Sequence, residues 1–190
     1  MPDLVVGEDG LARCGWCVSS DLYMAYHDDE WGRPQRDDRT LFEKMSLEAF
    51  QSGLAWITIL RKRENFRKAF ADFDAATVAG FGEKDIDRLL ADTGIVRNRQ
   101  KIEATIHNAR VLADLPLPLS DLLWSFAPEP RPARLDSFAE FPATTAESKA
   151  MARDLKKRGF RFVGPTTAYA LMQAMGMVDD HLEGCHVRVM

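Results

Sequence analysis

Cysteine is scarce in this chain of 190 residues, with only three. An odd handful of thiols makes no disulfide framework, so reduced cysteines are the expectation. Long apolar runs are missing too, and none approaches the ~20 residues of a bilayer span. The opening stretch, MPDLVVGEDG, has neither the basic end nor the apolar centre of an export signal. These absences point to a cytoplasmic protein without a membrane partner. Net charge is −4 at pH 7, which weighs against wholesale nucleic-acid binding, although an average conceals local patches. Alternation of strand length and internal repeats are also lacking.

What is present is helical spacing. Leu41, Met45 and Glu48 fall on one face of a helix that Asp37 or Asp38 can cap. WITILRKRENFRKAF reads as a second helix with its cations in the last turns. Asp74 can cap a short helix, and EKDIDRLLADTG forms another that Gly94 would end. RNRQKIEATIHNARVLADL repeats its apolar residues at helical intervals, and a short segment from Leu119 or Ser120 carries Trp124. APEPRPARLDSFAEFPATT, with four prolines, reads as a long surface loop. Beyond it, Thr144 or Thr145 opens a helix that Gly159 closes, and Pro165 suits the first turn of the last one. The expected architecture is an all-α, single-domain helical bundle.

Chemistry concentrates in a few places. AYHDDEWG sets His27 among acids, with Cys14 and Cys17 upstream in RCGWC, and with His181 and Cys185 near the far end. His181 and Cys185 stand one helical turn apart, so with Cys14 and His27 they can complete a closed Cys₂His₂ zinc site. The competing readings are coincidence, a Cys₃His site that includes Cys17, and a Cys14–Cys17 redox pair, which lacks the strand–helix context it needs.

Two runs are locally basic, RKRENFRK and KAMARDLKKRGFRF. In the second, a basic helix stops at Gly159 and a new one follows Gly164. Open amides at a helix start bind phosphate, and Lys156, Lys157, Arg158 and Arg161 would surround it. Such a grip holds one DNA strand without reading bases. Glu48 lies on an apolar stripe, where a carboxylate is costly unless paired or used. Five of the seven Trp and Tyr residues, Trp16, Tyr23, Tyr26, Trp31 and Trp56, lie in the first third of the chain. They can wall a pocket for a flat, cationic ligand.

RCGWC, YMAYHDDEWG, LFEKMSLEAFQSGLAWITILRKRENFRKAF, TGIVRNRQKI, LWSF, LKKRGFRFVG and DDHLEGC together resemble the DNA-3-methyladenine glycosylase I family. The match runs in order from about Ala12 to Cys185. It implies a glycosylase domain over residues 12–190 after a flexible extension, residues 1–11. It also implies a helix-hairpin-helix DNA-binding element around GFRFVG, acting as a monomer on double-stranded DNA with alkylated bases. The resemblance assigns one structural zinc ion to Cys14, His27, His181 and Cys185, joining the two ends of the chain. It assigns base recognition and catalysis to Glu48, with Tyr26 and Trp56 beside it and Trp16, Tyr23 and Trp31 around them. The DNA contacts are then Lys157, Arg158, Gly159, Arg161 and Gly164, with Leu54 as a wedge. Cys17 falls where the family need not have cysteine. Asp179, two residues before His181, is the position of a catalytic aspartate in the wider superfamily; otherwise Asp179 or Asp180 buttresses a metal-bound imidazole. The implied reaction is hydrolysis of the bond joining 3-methyladenine to deoxyribose after base flipping. No lysine stands as an obvious Schiff-base nucleophile, so no strand cleavage is expected.

Overall fold

The computed structural model describes residues 2–189. Among them it holds nine α-helices and one two-stranded hairpin. The helices are α1 (Asp21–Asp29), α2 (Asp38–Gln51), α3 (Trp56–Ala69), α4 (Ala75–Ala79), α5 (Glu83–Ala91), α6 (Arg99–Ala113), α7 (Leu119–Trp124), α8 (Ala146–Lys157) and α9 (Pro165–Ala174). Local signals account for most boundaries. The carboxylates of Asp37 and Asp74 accept the amides of Thr40 and Thr77, each at 2.9 Å. Thr145 caps α8 reciprocally with Ser148, and Pro165 opens α9 at its first position. Gly159, at φ +100°, closes α8 with Phe160 N donating to Leu155 O, a turn that left-handed glycine makes cheaply. Helix α5 stops at Ala91, three residues earlier than Gly94 would place its end. Helix α1 has little apolar periodicity to announce it, but Ser20 caps it through Tyr23 N.

Helix α2 is the axis of the molecule. Ten consecutive residues, Leu41 to Phe50, are buried, because α3, α6, α7 and α9 surround it. A helix enclosed on all sides must pair its charges. Glu43 accepts from Arg67, and Lys44 donates to Glu30 at 2.7 Å. Glu48 is the exception.

The all-α expectation holds, with one short hairpin beside the helices. That hairpin takes in part of residues 1–11, where a flexible extension was expected. Strand β1 (Leu4–Val6) pairs antiparallel with β2 (Ala12–Cys14), with Leu4 opposite Cys14. Gly15 N donates to Asp3 O at 2.8 Å, and Phe138 N to the Asp3 carboxylate. The physical reason is tertiary: Leu4 covers an apolar patch made by Cys14, Leu182 and Cys185, which no local pattern reveals. The proline-rich stretch after α7 is a surface loop, as expected, with one 3₁₀ turn at Phe138–Glu140. The spacing of His181 and Cys185 also arises differently. They lie in a turn closed by Cys185 N on Leu182 O at 3.0 Å, outside any helix.

Candidate functional site

Hairpin and C-terminal turn bring four fully buried side chains together: Cys14, His27, His181 and Cys185. His27 Nε2 and His181 Nδ1 are 3.2 Å apart, and Cys185 Sγ lies 3.5 and 3.7 Å from them. A tetrahedral ion with bonds of about 2.0 Å to nitrogen and 2.3 Å to sulfur needs N–N of ~3.3 Å and N–S of ~3.5 Å. The group therefore fits a metal ion. Its outer contacts agree with that use. His27 Nδ1 sits 2.7 Å from the Asp28 carboxylate, and His181 Nε2 lies 3.1 Å from the Trp31 carbonyl, so each ring's other nitrogen is directed at the cluster. Arg13 and His186 hold Asp28 from behind. Gly32, at φ +77°, passes so close that a Cβ there would stand 3.0 Å from His181 Nε2. Cys17 is buried nearby but outside the four-residue group, and all three cysteines are free thiols.

The metal group forms the back of a pocket. Trp16 packs edgewise on His27 and on Trp31, with ring centres 5.3 and 5.0 Å apart, and Trp31 packs edgewise on His181 at 4.8 Å. Beyond them opens a cavity of about 160 Å³ lined by Trp16, Tyr23, Tyr26, Trp31, Glu48 and Trp56, joined by Gln51, Ala170 and Gln173. All six residues singled out for base recognition meet here. The volume falls below the roughly 300–1,000 Å³ of sites for larger ligands, so it suits one flat ring system. Tyr26 and Trp56 lie with ring centres 5.5 Å apart at its side. Burial pushes the Tyr23 phenol up to about 12 and Tyr26 well above its ordinary value, so both stay neutral.

Glu48 is 6% exposed, and among the described residues no donor hydrogen-bonds its carboxylate. Burial raises its pKa to about 8, against a smaller opposing pull from Lys44, which Glu30 already occupies. A buried acid without a partner, facing a cavity of π-faces, is a waiting receptor for a donor or a cation.

Two loops hold the residues expected to contact DNA. Between α2 and α3 the chain turns through Gly53 and leaves Leu54 39% exposed. Lys101, buried on α6, donates to the carbonyls of Phe50 at 2.9 Å and Ser52 at 2.7 Å and so fixes this turn. The second loop joins α8 to α9. His107 contacts Gly159 O at 2.9 Å, and Asn108 exchanges two hydrogen bonds with Arg161. Lys156, Lys157, Arg158 and Arg161 are exposed around it, though Arg158 is tied to Asp154 at 2.6 Å. Gly164 has an ordinary φ of −69°, and nothing lies within 4 Å of where its Cβ would be, so it contributes open space rather than a special turn. The other basic run, residues 61–68, is largely spent inside the protein: Arg63 on Glu30, Arg67 on Glu43 and Glu64, and Lys62 on backbone carbonyls.

The methyladenine glycosylase profile matches residues 16–189 of this chain. The chain belongs to the methyladenine glycosylase family. It is 47% identical over 179 residues to DNA-3-methyladenine glycosylase 1 of Escherichia coli, covering 92% of this chain and 96% of the relative. A crystal structure of 3-methyladenine DNA glycosylase I superposes with a TM-score of 0.88 at 47% identity, covering 92% and 98% of the two chains. A Staphylococcus aureus 3-methyladenine DNA glycosylase I, solved to show how 3-methyladenine is recognised, superposes at 0.86 with 33% identity, covering 92% and 95%.

Within this methyladenine glycosylase, Asp179 lies away from the cavity wall. It accepts from Arg134 at 2.8 Å and from His181 N at 3.2 Å, so it fixes backbone and not an imidazole. Asp180 does not touch a metal-group imidazole either; it accepts from Arg131, from Tyr169 and from Gln173. The buttressing falls instead to Asp28 and the Trp31 carbonyl. Sequence reasoning missed Lys101, whose partners Phe50 and Ser52 lie in a distant segment, and missed Gln51 and Gln173, which meet at the cavity only because α2 and α9 pack together. Asp28, adjacent to His27, was discoverable as the carboxylate beside a ligand histidine.

Proposed function

We propose that this glycosylase hydrolyses the N-glycosidic bond of 3-methyladenine in alkylated duplex DNA, with Glu48 and the aromatic cage reading the positive charge of the flipped base. The single observation that supports this reading most is the unpaired, buried Glu48 carboxylate in a cavity lined by Trp16, Tyr23, Tyr26, Trp31 and Trp56. N3-methylation makes the base cationic and a good leaving group. The cation draws the proton off Glu48, and the carboxylate so formed and the π-faces then bind it, while neutral adenine gains no such ion pair. Leu54 fills the gap left by the base, and the open amides at the start of α9, with Lys156, Lys157 and Arg161, hold the backbone. Pocket, wedge and grip all lie on one chain, so a monomer suffices, without strand cleavage. We place it in the cytoplasm, where its three thiols stay reduced.

Cys14, His27, His181 and Cys185 would hold one zinc ion. Two thiolates and two imidazoles suit zinc, and four protein ligands leave no open position for substrate, so the ion supplies rigidity and no chemistry of the reaction. The test is release of free base from methylated duplex, with Glu48→Gln as control. Wild-type release of 3-methyladenine that Glu48→Gln reduces is expected; release unaffected by Glu48→Gln would sink the proposed recognition.

A further inference from the structure

We propose that Gln173 positions the attacking water and that Asp180 holds Gln173 for that task, an inference that rests on the glycosylase reading above. Asp180 is buried, and its carboxylate accepts from three side chains: Arg131 of the proline-rich loop, Tyr169 of α9 at 2.7 Å and Gln173 Nε2 at 2.7 Å. A carboxylate only accepts from an amide, so the bond to Asp180 decides which end of the Gln173 amide is which. Nε2 is turned to Asp180. Oε1 is the other end, and among the described residues no side-chain or backbone donor reaches it.

Gln173 lines the cavity that also holds Glu48. The depth of the two residues differs. Tyr26 and Glu48 are buried, at 4% and 6% exposure, whereas Gln173 is partly exposed, as Trp16, Tyr23, Gln51 and Trp56 are, so the burial points to the first two as the floor and to Gln173 as part of the mouth. A flipped nucleotide stays attached to its strand, so its base goes to the floor and its glycosidic bond must remain at the mouth. The free acceptor of Gln173 is therefore on the side of the reacting bond. Gln173 also shares a helix with the open amides of Thr166 and Thr167, roughly 10 Å along the axis. One rigid element thus carries both the backbone grip and the water acceptor.

The other glutamine of the mouth, Gln51, is accounted for by the wedge turn, where its Nε2 donates to Leu54 O at 2.8 Å. Asp180 touches neither the Cys/His group nor the cavity wall directly; it ties Arg131 of the proline-rich loop and Tyr169 of α9 together at the point where it accepts from Gln173. Its three donors make sense as a clamp on Gln173.

In the reaction the C1′–N9 bond breaks and its electron pair leaves with the base, which departs as neutral 3-methyladenine. The water oxygen bonds to C1′, and the spare proton passes to solvent. Gln173 accepts one hydrogen bond from that water and aims its lone pair; an amide removes no proton.

The experiment uses the full chain with two readouts: single-turnover release of 3-methyladenine from methylated duplex, and calorimetric binding of free 3-methyladenine. Gln173→Met should slow release about 10- to 100-fold, the range expected when a reacting group is misplaced. Its Kd for the free base should stay within about twofold and its Tm should hardly move, since the side chain is half-buried. Asp180→Asn should slow the wild-type enzyme yet add nothing to Gln173→Met, because both act through one amide. Additive effects accompanied by a lower Tm would make Asp180 purely structural and overturn its part. A wild-type rate in Gln173→Met overturns the water role. So does a loss of free-base affinity as large as the loss of rate, or a slow Gln51→Met beside a normal Gln173→Met. Failure of the wild-type protein to release any base overturns the glycosylase reading as well, which separates the two failures.

Discussion

Trp31 holds His181 in two ways. Its carbonyl oxygen lies 3.1 Å from His181 Nε2, and its indole packs edgewise on the imidazole with ring centres 4.8 Å apart. Because the same indole lines the cavity, the Cys/His group and the pocket share one packed wall. Removing the metal, or replacing Cys185 by serine, should therefore weaken base binding as well as stability. One ion per chain is expected by elemental analysis. In the metal-free protein Tm should fall, and free 3-methyladenine should bind about 2- to 10-fold less tightly, the worth of one displaced aromatic contact. Unchanged base affinity after metal loss would show the pocket to be independent of the group.

Glu48 makes stability depend on pH in an unusual direction. Its pKa is about 8 in the folded protein and near 4.5 in the unfolded chain. Between those values the native state keeps a proton that the unfolded state has lost, so stability falls as pH rises from about 4.5 to 8 and then levels. The slope is at most roughly 1.4 kcal/mol per pH unit. Glu48→Gln carries no such group. The variant should gain on wild type in denaturant midpoint as pH goes from 5 to 8, and a constant difference across that range would contradict the burial argument.

The same substitution should cost ligand affinity. Above pH 8, where Glu48 is ionised, a charge-assisted hydrogen bond in a dry site is worth roughly 1.5–3 kcal/mol, so free 3-methyladenine should bind Glu48→Gln about 10- to 150-fold more weakly. Trp56→Ala should harm the same ligand, and the pair should be non-additive because both groups touch one base. Calorimetry on the four proteins of the cycle checks this.

Asn108 and Arg161 predict how the turn between α8 and α9 is held. Asn108 Nδ2 donates to Arg161 O at 3.0 Å, and its Oδ1 accepts Arg161 N at 2.8 Å. Asn108→Ala leaves two backbone groups to solvent and frees the turn. Binding to duplexes of any sequence should weaken by a similar factor, with free-base affinity kept, as for a backbone grip. Fluorescence anisotropy on two unrelated duplexes measures it; a sequence-dependent loss would mean this turn reads bases.

Lys101 should govern the wedge. Lys101→Met removes the donor to Phe50 O and Ser52 O, leaving the exit of α2 unfastened. Hydrogen exchange at residues 52–55 should accelerate, and base release from duplex should fall as it does in Leu54→Ala. Release from single-stranded methylated DNA, which needs no wedge, should be affected less in both variants. Equal losses on both substrates would make Leu54 an ordinary surface residue.

Much of this protein is local and therefore readable. The helices over residues 38–51 and 99–113 carry their own caps, the helix over 56–69 carries its cations in the last turn, and Gly159 and Pro165 mark the ends of a turn by backbone chemistry alone. The residue types for a metal group and an aromatic cage also stand in the sequence, because thiols, imidazoles and indoles are rare enough to be noticed.

Tertiary structure decided everything that depends on which distant segments meet. It laid residues 4–6 on β2 rather than leaving them loose, since the patch they cover is assembled from both ends of the chain. It paired Glu43 and Lys44 and left Glu48 alone, although all three lie on one helix, because Arg67 and Glu30 reach only the first two. It gave the buttressing of the histidines to Asp28 and a tryptophan carbonyl, and turned Asp180 towards Gln173. Spacing along a chain sets what a residue can do with its neighbours within a turn or two; burial and partnership belong to contacts between distant segments, as for His27 and His181, 154 residues apart.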